Sequence, residues 1–249
     1  MSVHEITPEL QQALRKLKLG PMLPTLPERL RQFRERKLPV EDLLLILFSE
    51  EVQRRSQQAS QRRASAAGLD PSMVLDAWDH TAAVTYDRAK VDKLATMKFI
   101  EAHYHVLCMG PVGVGKTFIA HALGNIACQQ GLTVVCETAD KLFKRLKAAR
   151  LDQSHVAELR RLFAVDLLII DDFGLRALDS METSDFYDII DERHRKGSMI
   201  VTSNREPAEW LPLMADPLHA QAAVDRFKNN ANDLVIEGES YRARQKPRM

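Results

Sequence analysis

The chain has 249 residues and a formal net charge of +1, long enough for one large domain or two smaller ones with a sizeable core. That near-neutral balance gives no bulk attraction to nucleic acid or to an anionic surface, so any such contact must come from local clusters of cations. Cys108, Cys128 and Cys136 are odd in number and set among apolar residues, which fits reduced, buried thiols of a cytoplasmic chain better than disulfides or a metal site. The first residues lack a basic region followed by an apolar core, and no apolar run reaches membrane-spanning length; neither export nor a membrane partner is expected.

Residues 1–67 read as a small helical domain. Leu10, Leu14 and Leu17 form a short amphipathic pattern that Gly20-Pro21 and Pro24 interrupt, and Leu26, Leu30 and Phe33 restart it. Pro39 and Glu41-Asp42 then open an apolar helix through residues 43–48 that runs on into Glu50, Glu51, Arg54 and Arg55. The basic run around Arg34, Arg36 and Lys37 has two readings: contact with DNA phosphates, which needs only clustered cations, or a solvated face tempered by Glu28 and Glu35. Alanine, serine, glycine and proline replace the periodic pattern near residues 65–71, and we place a second domain over 68–249.

Residues 91–100 read as a helix, and the pair His103 and His105, with no third ligand at a useful spacing, reads as strand-start histidines. Next comes the apolar run 106–109, followed by Gly110-Pro111-Val112-Gly113-Val114-Gly115-Lys116-Thr117. This octapeptide is a phosphate-binding loop, G-x-x-x-x-G-K-[ST]. Its glycines let backbone N–H groups turn towards phosphate oxygens that Lys116 also reaches, and the Thr117 hydroxyl is placed to hold Mg²⁺. Phe118 continues into a helix, so strand, loop and helix follow in the required order.

A second buried strand is expected over 132–136 and then a helix with Leu142, Leu146 and Ala149 on one face. Its cations Lys141, Lys144, Arg145 and Arg150 are a second candidate contact for a phosphate backbone, or again a solvated face. Residues 167–172 then read L-L-I-I-D-D. A buried parallel strand delivers its last carboxylates to the crevice where ligands bind, so Asp171 is expected to act on the metal and Asp172 to orient or deprotonate the attacking water. Further on lie a helix over 184–195, a fourth strand over 199–202 ending Thr202-Ser203-Asn204, a helix over 222–228 and a short strand over 234–237. Asn204 offers an uncharged amide to the γ-phosphate or the attacking water, or satisfies backbone groups of the turn.

The phosphate loop, L-L-I-I-D-D-F-G over 167–174, I-V-T-S-N-R over 200–205, Asp225-Arg226 and Ser240-Tyr241-Arg242 together resemble the IstB/DnaC group of AAA+ ATPases. Within that group the chain is most similar to the IstB-type transposition helpers of bacterial insertion sequences. The resemblance implies an α/β P-loop AAA+ fold of three layers around a central parallel sheet, preceded by a small all-helical domain that serves oligomerisation, DNA or partner contact. It implies ATP and Mg²⁺ as cofactors, with ATP hydrolysis. The implied partners are duplex DNA, the transposase of the same insertion sequence, and further copies of the chain, with ATP sites at subunit interfaces. By the same resemblance Lys116 and Thr117 are the Walker A residues, Asp171 and Asp172 the Walker B pair and Asn204 the first nucleotide sensor. Arg226 is the finger that completes a neighbouring site, with Arg193 and Arg195 as alternatives, and Arg242 is a second sensor. Two departures stand out. Asp172 occupies a position where many AAA+ proteins outside this group carry Glu, and the chain after Asn204 is too short for the usual helical lid. Three other functions compete: a replicative helicase loader of the DnaC type, a P-loop kinase of a small molecule, and a DNA-bending protein that binds ATP without turnover.

Overall fold

A computed structural model describes residues 6–241 of the chain. The chain divides into two compact units, Met1–Ala59 and Ser60–Met249. Helices α1 (Pro8–Lys16), α2 (Leu26–Arg36) and most of α3 (Val40–Ala67) form the first. Thr7 caps α1 by accepting from Leu10 N, and Pro8 supplies the preset φ of a first turn. The unit's small core gathers Met22, Leu26, Leu43 and Leu47, with Leu14, Leu30 and Phe33 packed against it. Glu51 is buried between the guanidinium groups of Arg54 and Arg55, which hold its carboxyl well down, to about 2.

The second unit is built on six strands: β1 (Val84–Tyr86), β2 (His105–Met109), β3 (Val134–Thr138), β4 (Leu167–Phe173), β5 (Ser198–Ser203) and β6 (Ala231–Gly238). Their order is β1-β6-β2-β5-β4-β3, parallel throughout except that β1 pairs antiparallel with β6. The last turns of α3 belong here, placing Ala64 and Ala67 in this core. The remaining helices are α4 (Arg88–Ala95), α5 (Lys98–Glu101), α6 (Lys116–Gln129), α7 (Ala139–Leu151), α8 (His155–Ala164), α9 (Ser180–Arg193) and α10 (Pro217–Asn229).

Side chains alternate across a strand, and here both faces are covered, which is why the strands read as continuous apolar runs. Cys108, Cys136, Ile169 and Ile200 face α4, α5 and α6, packing on Ile119, Leu123 and Leu94. Leu107, Val135, Leu168, Ile170 and Val201 face the other layer, on Leu142, Leu159, Phe186 and Phe227 of α7 to α10. Three layers result. The cysteines are free and buried, and burial pushes the Cys108 and Cys136 thiols up to about 12.

Several elements depart from the sequence expectation. The helix expected over 91–100 is two pieces, α4 and α5, because Met97 turns left-handed at φ 61° between them. The edge strand β1 adds an antiparallel member to a sheet expected to be parallel. The helix expected from 184 starts at Ser180, set by a capping box in which Asp179 accepts from Glu182 N and Glu182 accepts from Asp179 N. His105, half of the H-x-H pair, is buried and stacked on Phe227, whereas His103 is exposed.

Arg193 ties the layers together at the end of α9. It is 1% exposed, and its guanidinium donates to the carbonyls of Leu162, Phe163, Val165, Asp166 and Ser198 at 2.6–3.3 Å. Burial pulls its pKa down to about 10, still far above neutrality. Replacing it by Met would leave buried carbonyls without donors, and we expect R193M to lose about 2–4 kcal/mol of stability, measurable by thermal or urea denaturation.

Candidate nucleotide site

The phosphate loop leaves the C-terminal end of β2 and enters α6, so it lies at the strand edge where open parallel sheets bind ligands. Its glycines are needed for space as well as for backbone freedom. Gly110 has φ 149°, and a Cβ there would fall 2.0 Å from the Ile236 carbonyl oxygen; at Gly115, φ 102°, it would fall 2.5 Å from the Trp78 ring. Lys116 is buried, and its Nζ donates to the carbonyls of Gly110 and Pro111 at 2.8 Å each. The segment after β6 closes on the loop: Tyr241 N donates to Gly113 O at 2.9 Å, and Ser240 lies against Gly113. Arg242, the expected second sensor, lies outside the described residues.

Strand alternation brings the second motif to the first. Ile169 and Ile200 face α6, so Asp171 and Thr202, two residues further along β4 and β5, fall on the same side. Thr117, in the first turn of α6, donates its hydroxyl to Asp171 Oδ1 and Oδ2 at 3.1 and 3.0 Å. Thr202 donates to Asp171 Oδ1 at 2.5 Å. The carboxylate is 5% exposed and held by hydroxyls alone in these contacts. A hydroxyl and a carboxylate at hydrogen-bond distance beside a phosphate cradle form a hard-oxygen donor set of the kind Mg²⁺ takes. Asp172 stands on the surface just beyond, at φ 55°, and Asn204, also exposed, follows the last residue of β5 at the same strand edge.

Arg226 is elsewhere. It lies in the last turn of α10, whose following residue Asn230 accepts from His105 N, the first residue of β2. The five-residue β2, about 17 Å long, separates that edge from the phosphate loop. There Arg226 pairs with Asp191 at 3.0 Å and stands over the Tyr187 ring at 5.3 Å. Of the alternatives for its role, Arg193 is committed to its carbonyl cage, and Arg195 is exposed at φ 58° just past α9.

The basic positions also differ in freedom. Arg34, Arg36 and Lys37 are exposed at the end of α2. On α7, Lys144 pairs with Asp140 at 2.7 Å, Arg145 lies between Glu137 and Glu158, and Arg150 pairs with the buried Asp185 at 2.5 Å. A cavity of about 420 Å³ opens beside Asp171, with Lys141, Arg145, Arg161, His121 and Cys136 in its walls. Among the described residues no cluster of His, Cys, Asp and Glu suits a metal ion by itself, and no helix is long and apolar enough to cross a membrane.

Two groups at the site carry little signal in the sequence. Thr202 was visible only as a polar residue ending an apolar strand. Trp78 and Tyr86, remote in sequence, form an aromatic cluster with Phe118 at ring separations of 5.3–5.4 Å, and Trp78 lies against Gly115.

Fold and site together define a P-loop protein of the AAA+ class, with the sheet order and strand-edge loop described above. Structures of low sequence identity agree on the fold: DnaI, 21% identical with TM-score 0.57 over 66% of this chain and 90% of that one, and DnaA bound to AMPPCP and single-stranded DNA, 23% identical with TM-score 0.56 over 69% of this chain and 51% of that one. The chain belongs to the family of IstB-like ATP binding proteins, which matches residues 12–249. It is 34% identical over 241 residues to a Mycobacterium tuberculosis protein described as an ATP-binding protein in an insertion sequence, covering 96% of each chain. It is also 32% identical to an insertion sequence IS21 ATP-binding protein of Pseudomonas aeruginosa, covering 96% of this chain and 90% of that one.

Trp210 is fully buried whereas Trp78 lies on the phosphate loop. Adding ATP or ADP with Mg²⁺ should therefore change the intrinsic tryptophan emission, and W78F should lose that response; a full response in W78F would place the nucleotide away from this ring.

Proposed function

We propose that this chain is an ATP-hydrolysing transposition helper: it assembles on target duplex DNA, deforms it, delivers it to the transposase of the same insertion sequence, and is released by hydrolysis. The observation that carries the reading is the junction of Thr117 with Asp171 beside the phosphate cradle, in a chain whose relatives are described as insertion-sequence ATP-binding proteins. On this reading Lys116 exchanges the carbonyls of Gly110 and Pro111 for phosphate oxygens. Gly110 to Thr117 and Phe118 would hold ATP, Thr117 and Asp171 would hold Mg²⁺, which would supply positive charge for phosphoryl transfer, and Asp172 and Asn204 would face the attacking water. Trp78 and Tyr86 give the base an apolar wall.

Arg226 sits at the strand edge remote from its own phosphate loop, so its guanidinium serves only a neighbouring copy's site. Supplying that charge in trans makes turnover depend on assembly. Of the candidate cations, the exposed Arg34, Arg36, Lys37, Lys141 and Lys144 are left for DNA phosphates, Lys144 being held only by a surface pair with Asp140, whereas Arg145 and Arg150 mainly brace α7. Contacts of this kind follow backbone shape and deformability instead of base edges. The protein acts in the cytoplasm, where its DNA and ATP are.

Sedimentation with duplex or single-stranded DNA, in ATP, ADP or neither, tests this together with phosphate release. Large complexes on duplex DNA are expected only with ATP and are lost in K116A. R226A should lower assembly-coupled hydrolysis by roughly a thousandfold, and D172N should lose turnover while keeping nucleotide. Preference for single strands with no assembly on duplex would turn the reading to a helicase loader, and turnover indifferent to DNA would turn it to a small-molecule enzyme.

A further inference from the structure

The ladder between β4 and β5 breaks just before the site. Their register shifts between Ile170 and Phe173, and Asp172 within the irregularity adopts the left-handed φ of 55°. For a residue with a Cβ such a conformation needs support from its surroundings. Side chains from the end of β5 supply the partners that the regular ladder no longer offers. Thr202 Oγ1 accepts from Asp172 N at 2.9 Å, Ser203 Oγ donates to Phe173 O at 2.8 Å, and Arg205 Nε donates to Gly174 O at 3.0 Å. Trp210 Nε1 in turn fixes Ser203 by donating to its hydroxyl at 3.1 Å.

Thr202 differs from the other two because its hydroxyl also reaches the carboxylate of Asp171. A threonine oxygen carries one proton and two lone pairs. The proton goes to Asp171 Oδ1 at 2.5 Å, and the Asp172 amide occupies a lone pair. The residue is fully buried, so water cannot replace either contact cheaply. The same Oδ1 accepts from Thr117. One oxygen atom therefore joins the orientation of the Asp171 carboxylate to the backbone conformation of Asp172.

We propose that Thr202 is a positioning residue for the metal-nucleotide site: its hydroxyl sets the carboxylate of Asp171 for Mg²⁺ and holds Asp172 in its turned conformation. The inference rests on the ATP-binding reading above. A hydroxyl that merely closed the irregularity would need to accept only from Asp172 N; the short contact to Asp171 gives it a second consequence, felt only when the metal binds. The valine variant keeps the shape and removes both hydrogen bonds, whereas serine keeps the hydroxyl and removes only the methyl group.

The test measures nucleotide binding by calorimetry with and without Mg²⁺, and turnover against Mg²⁺ concentration, in wild type, T202V and T202S. In T202V, metal-free binding of a non-hydrolysable ATP analogue should match wild type. The gain in affinity on adding Mg²⁺ should fall about tenfold, the scale of one hydrogen bond to a charged group, and the Mg²⁺ needed for half-maximal turnover should rise to match. T202S should restore both. Should T202V fail to fold, T202A read against T202S carries the same comparison. Unchanged Mg²⁺ dependence in T202V, with or without a lower melting temperature, overturns the proposal, as does a T202S that is no better than T202V. Wild type that binds no nucleotide would instead overturn the ATP reading and the metal role of Thr202 with it; K116A losing nucleotide while T202V equals wild type would overturn Thr202 alone.

Discussion

The candidate site depends on a single buried carboxylate. Asp171 follows the fully enclosed apolar residues 167–170 of β4, and at 5% exposure its charge must be satisfied by neighbours, since an unpaired buried anion is costly. Its partners are hydroxyls from two different elements, Thr117 at the start of α6 and Thr202 near the end of β5. Hydroxyls stabilise an anion without cancelling its charge, so the carboxylate remains able to act on a cation. A lysine or arginine salt bridge in that place would have consumed it. The loop, the helix that follows it and two strands are therefore held together through that one carboxylate.

The sheet makes this convergence possible. Cys108, Ile169 and Ile200 are packed beneath α6 while their neighbours in sequence are packed beneath the opposite layer, so two residues further on Asp171 and Thr202 have one side to occupy. A slip of one residue in β4 or β5 would turn that strand's polar group to the opposite face, away from Thr117. Arg193 guards the other end of the same strands, its guanidinium filling the space beside Gly197, where a Cβ would come 2.8 Å from Nη2. Buried arginine serves there as a donor cluster for carbonyls that end helices and begin strands, a task the two Nη groups of a rigid planar fork perform and lysine cannot.

Much of the candidate site was legible because the pattern that marks it is local in sequence. The phosphate cradle needs consecutive backbone N–H groups, and a Walker B carboxylate needs an apolar strand before it, so both are spelled out in single runs. Features that depend on contacts distant along the chain were not. Thr202 acts through Asp171, thirty-one residues away, Trp78 through Gly115, and Arg193 through carbonyls of α8 and the loop after it. The cations of α7 show the same limit from the other side. Their spacing suggested a free basic face, yet Glu137, Glu158 and Asp185 on neighbouring elements take up Arg145 and Arg150. The break at Met97 and the antiparallel strand β1 also escaped, the first because a left-handed methionine leaves no propensity signal.

Arg226 is held in a different way from Arg193. Its side chain is partly exposed, its guanidinium meets Asp191 and the Tyr187 face, and it lies at the strand edge opposite its own phosphate loop. Exposed ion pairs of this kind contribute little to stability, so Asp191 restrains the arginine without burying it. A residue so placed can be withdrawn from Asp191 by a stronger anion at small expense, whereas Arg193, enclosed by five carbonyls, cannot move without unpairing all of them. The two arginines, one on α9 and one on α10, thus stand in opposite settings: Arg193 closes the core, whereas Arg226 keeps a partly exposed side chain in a single ion pair.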